Sequence, residues 1–331
     1  MVRDRSFLLA LAITLAMAGA AVAAEKPQAV FTDPKKAGPD FAVQGEYVGQ
    51  VKTEDGEITE GVQVIALGGG KFRAVAYHGG LPGAGWDKSE RVQVDGQTAG
   101  GVTTFVPEDG FVKGTLKDGV ITVQDADGAT IAKLKKVFRK SPTLGAKPPA
   151  GAVVLFDGKT ADKFIGGRMT KDGLLMEGAT SKQNFQSFTL HMEFRTPFMP
   201  YARGQARGNS GFYAQGRYEV QILDSFGLEG LDNECGGIYT IARPQVNMCL
   251  PPLSWQTYDV DYAAAVYKDG KKVKNATMTV RHNGVLVQKD IELPHATTAA
   301  PVREGPEPGP IYLQNHGCPV RFRNIWVVEK R

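Results

Sequence analysis

Short runs of alternating apolar and polar residues, each stopped by Gly or Asp, fill this chain from residue 41 onward, and no stretch sustains a helical period. Alternation sends successive side chains to opposite faces of a strand. Such runs can bury their apolar faces only by packing sheet on sheet or by closing a barrel. The expected fold is therefore all-β. Residues 62–66 run into Gly68-Gly69-Gly70 and then 72–77, and 120–123 meet Asp125-Ala126-Asp127-Gly128. These signals assign 25–145 to a small β-rich domain, a sandwich or a barrel. Within it, 25–40, with Pro27, Pro34, Gly38 and Pro39, reads as a linker or arm. The loop 78–86 is glycine-rich but lacks the Lys-Ser/Thr ending of a phosphate loop, which leaves a tight turn with a packed Trp86.

A Pro/Gly/Ala-rich break at 141–151 marks a second boundary. Beyond it, runs at 153–156, 173–178, 188–196, 255–262, 276–281, 311–314 and 320–328 read as strands, and Asn283-Gly284 is the favoured two-residue hairpin turn. Many strands joined by turns suggest a jelly-roll, two-sheet sandwich over 150–331.

The N-terminus carries Arg3 and Arg5, an apolar run over 7–24 and a small-residue end at Ala21-Val22-Ala23-Ala24. That is the pattern of a secretory signal peptide, 1–24, and the expected location is periplasmic or secreted. No later run is long and apolar enough to span a bilayer, so no transmembrane segment is expected after signal removal. The net charge of +4 is mild and dispersed, which argues against a nucleic-acid partner. Of the three cysteines, Cys235 and Cys249 are the disulfide candidate for an exported chain, with three buried thiols as the alternative.

Two strands carry polar trios at a spacing of two: His191, Glu193, Arg195 and Arg217, Glu219, Gln221. Placed in one sheet, the trios would share a surface suited to sugar hydroxyls, with Tyr213, Tyr218, Trp255 and Tyr312 available to stack on a ring. On alternation alone, a solvated sheet face is the better explanation of them. Asn209-Ser210-Gly211 and Gly216 favour a site, because glycine admits close approach of a ligand. His316, in a connection between strands, is a candidate acid–base group. Asp224 is a second carboxylate whose parity sets it on the opposite side from Glu219 unless the strand bends.

Taken in order, 155–159, 209–225, 255–259, 282–285, 313–317 and 321–326 resemble the motifs of the 3-keto-disaccharide hydrolase domain family. The resemblance covers roughly 150–331. It implies a concanavalin/laminarinase-like jelly roll that cleaves 3-keto-glycosides. A ketone at position 3 acidifies the proton at position 2. A base removes it, the group at position 1 is eliminated, and water adds back. Such a site needs a base, an enolate stabiliser and a proton donor, not two matched carboxylates. On that basis Glu219, His316 and Asp224 are the expected catalytic residues. Arg217, Gln221, Tyr213, Glu193, Arg195, His191, Trp255 and Asn209 are the expected carbohydrate contacts. A divalent metal ion is one candidate for the enolate stabiliser. A non-catalytic carbohydrate-binding or adhesion protein is the alternative.

Overall fold

The computed structural model describes residues 29–53 and 56–330; the signal-peptide segment lies outside them. Eight antiparallel strands, from Gly45–Thr53 to Thr130–Val137, pair each with the next, and the last pairs back with the first. The first domain is thus a closed barrel, not a sandwich. Its interior is packed with Tyr47, Val64, Phe72, Phe105, Leu116, Ile121 and Leu134, as small barrels are. Glycines let the strands approach. A Cβ on Gly49 would overlap the backbone of Lys133 on the neighbouring strand. The glycine-rich loop is a packed turn, with the Trp86 ring edge-on to Tyr77 at 5.2 Å.

The expected arm at 25–40 is fixed to the rest of the chain where it is described. It contains a 3-10 turn, Pro34–Lys36, and the short helix Gly38–Val43, and Phe31 and Phe198 exchange both backbone hydrogen bonds. Alternation could not reveal the helix, because six residues are less than two turns.

The second domain is a two-sheet sandwich. One sheet orders Phe164–Ile165, Ala179–Phe185, Gly309–Leu313, Ser210–Ala214 and Tyr218–Ile222. The other orders Leu175–Met176, Arg321–Glu329, Phe188–Arg195, Gln256–Ala263, Ala276–His282 and Val285–Leu293, with Val153–Phe156 also paired to Arg321–Glu329. Between them lie Leu190, Met192, Phe194, Phe212, Val220, Ile222, Val280 and Phe322, all buried. The two polar trios therefore lie in different sheets and do not form one surface.

The barrel is docked on the sandwich. Ile65, Val75 and Tyr77 of the barrel belong to the sandwich's core cluster. Beside that seam, Tyr77 donates to Gln63, Gln63 to Glu46, and Arg139 holds Glu46 through both carboxylate oxygens. The expected linker is bound as a strap. Ser141 Oγ lies 2.7 Å from Thr257 Oγ1, and Thr143 Oγ1 donates to Asp259 at 2.7 Å. Gly145 N donates to Glu193 at 2.6 Å, and Asn324 Nδ2 donates to Ala146 O at 3.0 Å.

Candidate active site

Strands Ser210–Ala214 and Tyr218–Ile222 form a hairpin closed by Gln215 and Gly216, both at positive φ (53° and 63°). The connection is three residues long, Gln215-Gly216-Arg217; Arg217 N donates to Ala214 O at 2.9 Å across the first two, and Gly takes positive φ there at low cost. The register sets Tyr213 opposite Glu219 and Gly211 opposite Gln221. Phe212, Ala214, Tyr218, Val220 and Ile222 enter the core, so the alternate residues face outward. That outward face is not wet. Loops cover it and leave a cleft of about 160 Å³, lined by Glu219, Tyr213, Gln221, Asn209 and His316 among others.

Glu219 is 2% exposed. Its Oε2 accepts a 2.8 Å hydrogen bond from Tyr213 Oη, and among the described residues Oε1 has no hydrogen-bond partner. Gly211 makes room for the side chain; a Cβ there would overlap Oε1. Burial raises the Glu219 pKa from its ordinary 4.5 to about 7, against the opposing pull of the Tyr213 hydrogen bond. Burial, and then the neighbouring Glu219 charge, pushes the Tyr213 phenol well above its usual range. Tyr213 therefore remains a hydrogen-bond donor to the carboxylate.

An amide layer surrounds this pair. Asn209 Nδ2 donates to Gln205 O at 2.8 Å and to Gln205 Oε1 at 2.9 Å. Gln221 Nε2 donates to Gln205 Oε1 at 3.0 Å, and Gln205 Nε2 donates to Asn233 O at 2.8 Å. Gln314 Nε2 donates to Tyr213 Oη at 3.1 Å. His316 is exposed at the rim. The cleft also recruits Gln205, Tyr239, Thr298, Ala299 and Gln314, which the sequence reading did not name as site residues. They come from four separate connections, and no local spacing marks them. Gln314 alone stood within a noted motif.

Other expected site residues lie elsewhere. Arg217 does not line the cleft. Its Nε donates to Arg303 O at 2.8 Å and its Nη1 to Glu307 O at 2.9 Å. It thereby anchors the segment after residue 297, whose Thr298 and Ala299 wall the cleft. Gly216 likewise packs against Val302 and not against open space. Asp224 lies beyond the strand end, 2% exposed, and accepts from Arg207 Nε at 2.6 Å. Its Oδ2 is held in that ion pair, its Oδ1 is buried without a partner among the described residues, and it does not line the cleft with Glu219.

His191, Glu193, Arg195 and Trp255 belong to the opposite sheet and its strap. His191 is fully buried, with Nδ1 2.6 Å from Asp259 Oδ1 and its ring stacked on Trp326. Burial opposes the imidazolium, but hydrogen bonds to Asp259 and Glu193 prevail and raise its pKa. Burial likewise opposes the Glu193 carboxylate, yet His191, Asn324, Gly145 N and Arg323 hold its pKa down at about 2. Trp255 stacks under Arg323, 4.0 Å from ring centroid to guanidinium, with Arg195 at 5.0 Å. Glu193 fastens the strap to the sheet through Gly145 N, and Arg195 donates to Thr32 O of the N-terminal arm at 3.1 Å.

Cys235, Cys249 and Cys318 are all free and buried. Cys235 Sγ lies 3.2 Å from Tyr258 Oη and Cys249 Sγ donates to Leu223 O at 3.4 Å, so the candidate pair is not bonded and three buried thiols are what the structure holds. For a divalent ion the donor set is poor. Glu219 and His316 are the cleft's ionisable His or carboxylate ligands, and one Glu219 oxygen is engaged by Tyr213. Among the described residues no three His, Cys, Asp or Glu side chains gather for a metal. These residues do not fit a protein-built cation site.

Residues 151–328 match the 3-keto-alpha-glucoside-1,2-lyase-like domain. The chain belongs to that family. The matched span contains the whole sandwich and every residue of the cleft. Solved structures similar to this chain include three from Parabacteroides distasonis ATCC 8503, each provisionally described as a glycosyl hydrolase. The first is 33% identical, covers 55% of this chain and 85% of its own, and has a TM-score of 0.49. The second is 21% identical, covering 55% and 94%, with a TM-score of 0.40. The third is 23% identical, covering 54% and 99%, with a TM-score of 0.38. No curated protein matches the chain.

Proposed function

We propose that the cleft cleaves 3-keto-glycosides by elimination across C1 and C2, with Glu219 as the base. The observation that carries this reading is a buried carboxylate on a lyase-family sheet, with its pKa raised to about 7 and one oxygen unpartnered. A base poised near neutrality is suited to a carbon acid activated by an adjacent ketone.

Glu219 Oε1 takes the proton from C2. The C–H electron pair moves into the C2–C3 bond, and negative charge gathers on the C3 oxygen. When the ketone reforms, that pair makes the C1–C2 double bond and the C1–O bond breaks toward the leaving group. Water then adds its oxygen to C1 and a proton to C2. Tyr213 holds Glu219 in place through Oε2. His316, at the exposed rim, is the group assigned to protonate the departing oxygen in this reading. Tyr239 lines the cleft, and its hydroxyl has no partner among the described residues, so it is the available donor to the C3 oxygenate.

The signal-like N-terminus supports action outside the cytoplasm. No helix among the described residues is long and apolar enough to cross a membrane. The test is release of product from 3-keto-trehalose or a 3-keto-glucoside by the wild type and Glu219→Gln. Cleavage by the wild type alone supports the reading. Binding of unoxidised glycans with no turnover of the keto-sugars would favour a carbohydrate-binding module instead.

A further inference from the structure

Two acceptors beside Glu219 are left without partners. Asn209 Oδ1 and Gln314 Oε1 are both buried atoms with no hydrogen bond among the described residues. Both residues line the cleft. A buried acceptor without a donor is costly, so an orphan that persists calls for an explanation.

The amide orientations follow from their neighbours. Asn209 Nδ2 faces the backbone oxygen Gln205 O, which can only accept. Turning the amide over would set oxygen against oxygen, so Oδ1 is the atom left free. Gln314 Nε2 faces Tyr213 Oη, whose hydrogen is directed to Glu219 Oε2. The phenol oxygen must therefore accept from Gln314, and Oε1 is again left free. The neighbouring amides donate elsewhere and reach neither orphan. Gln221 Nε2 and Gln205 Nε2 both donate within the layer, to Gln205 Oε1 and Asn233 O.

Three oxygens in this cleft thus lack donors: Glu219 Oε1, Asn209 Oδ1 and Gln314 Oε1. The first is the base of the proposed reaction, and the other two are neutral amides that cannot take a proton from carbon. They can accept from hydroxyl groups. At about 160 Å³, the cleft falls below the ~300 Å³ at which sites for drug-sized ligands begin. That is a site on the scale of one sugar ring, with its rim open to solvent at His316.

Resting on the elimination reading above, we infer that Asn209 and Gln314 determine specificity by each accepting a hydrogen bond from a hydroxyl of the oxidised ring. The substrate class is then a 3-keto-pyranoside whose remaining ring hydroxyls are free. Deoxygenated or O-alkylated rings are rejected, because one amide oxygen then gains no donor on binding.

The experiment compares kcat/KM for a 3-keto-glucoside with its 2-deoxy, 4-deoxy and 6-deoxy analogues, using the wild type, Asn209→Ala and Gln314→Ala. In the wild type, removal of two of the three hydroxyls should each cost about 10–100-fold. One of those penalties should vanish in Asn209→Ala and the other in Gln314→Ala. If the wild type cleaves every analogue within about threefold of the parent, the inference is wrong and the elimination reading stands. Penalties that persist unchanged in both variants would also overturn it. If a variant does not fold, the analogue series with the wild type still decides. No cleavage of the parent by the wild type overturns the elimination reading, and this inference with it.

Discussion

At the residue scale, Glu219 trades stability for reactivity. Its folded pKa of about 7 lies above its ordinary 4.5, so the folded state holds the proton more tightly than the unfolded chain. This contribution to stability is full below pH 4.5 and is lost as pH rises toward 7. The shift corresponds to roughly 3 kcal/mol. Glu219→Gln removes the buried charge and should raise the melting temperature at pH 8, with little change at pH 5. A thermal denaturation series at the two pH values checks this. Catalysis has the opposite sign, because the base works deprotonated. The kcat/KM for a 3-keto-glucoside should rise with pH to a plateau above about pH 7. A profile flat from pH 5 to 8 would contradict Glu219 as the base.

At the scale of elements, the hairpin Ser210–Ala214 and Tyr218–Ile222 builds the floor, and Arg217 ties down one wall. Arg217→Met keeps the bulk and removes two donors to the loop backbone. It should lower kcat/KM about 10–100-fold through a loosened wall, while leaving the pH midpoint of activity unchanged. Rate profiles for the variant and wild type test this. A shifted midpoint would mean that Arg217 acts on Glu219 directly. Gly211→Ala brings a methyl group into Glu219 Oε1 and should abolish turnover in a folded protein, as activity and circular dichroism together would show.

The strand pattern of this domain was legible in the sequence, because alternation is a local property. The Asn283-Gly284 turn, with both residues at positive φ, was legible for the same reason. Sheet membership was not. His191-x-Glu193 and Glu219-x-Gln221 have the same spacing, yet one lies under a strap and the other under a cleft. What separates them is the choice of pairing partner, Gln256–Ala263 for the first and Ser210–Ala214 for the second. That choice is made by contacts far apart in the chain. For the same reason Tyr239 and Gln314 stood out only once the loops were in place.

At the scale of the whole molecule, barrel and sandwich share apolar contacts, and the connecting segment is a bound strap. Tyr77 is 2% exposed, packs with Trp86 and sits in the sandwich's core cluster. Tyr77→Ala should cost about 3–5 kcal/mol and lower the stability of both domains together. Calorimetry should show one transition for the wild type and the same single transition, moved down, for the variant. Two separated transitions in the wild type would mean that the seam does not couple the domains. The lyase-like family match falls on the sandwich, residues 151–328.

The most direct test of proton abstraction at C2 is cleavage of a 3-keto-glucoside in D2O, followed by NMR of the released 3-keto-sugar. Elimination and re-addition of water predict deuterium at C2 with the wild type, and no product with Glu219→Gln. A product that keeps its original hydrogen at C2 would show direct displacement at C1 and contradict the account.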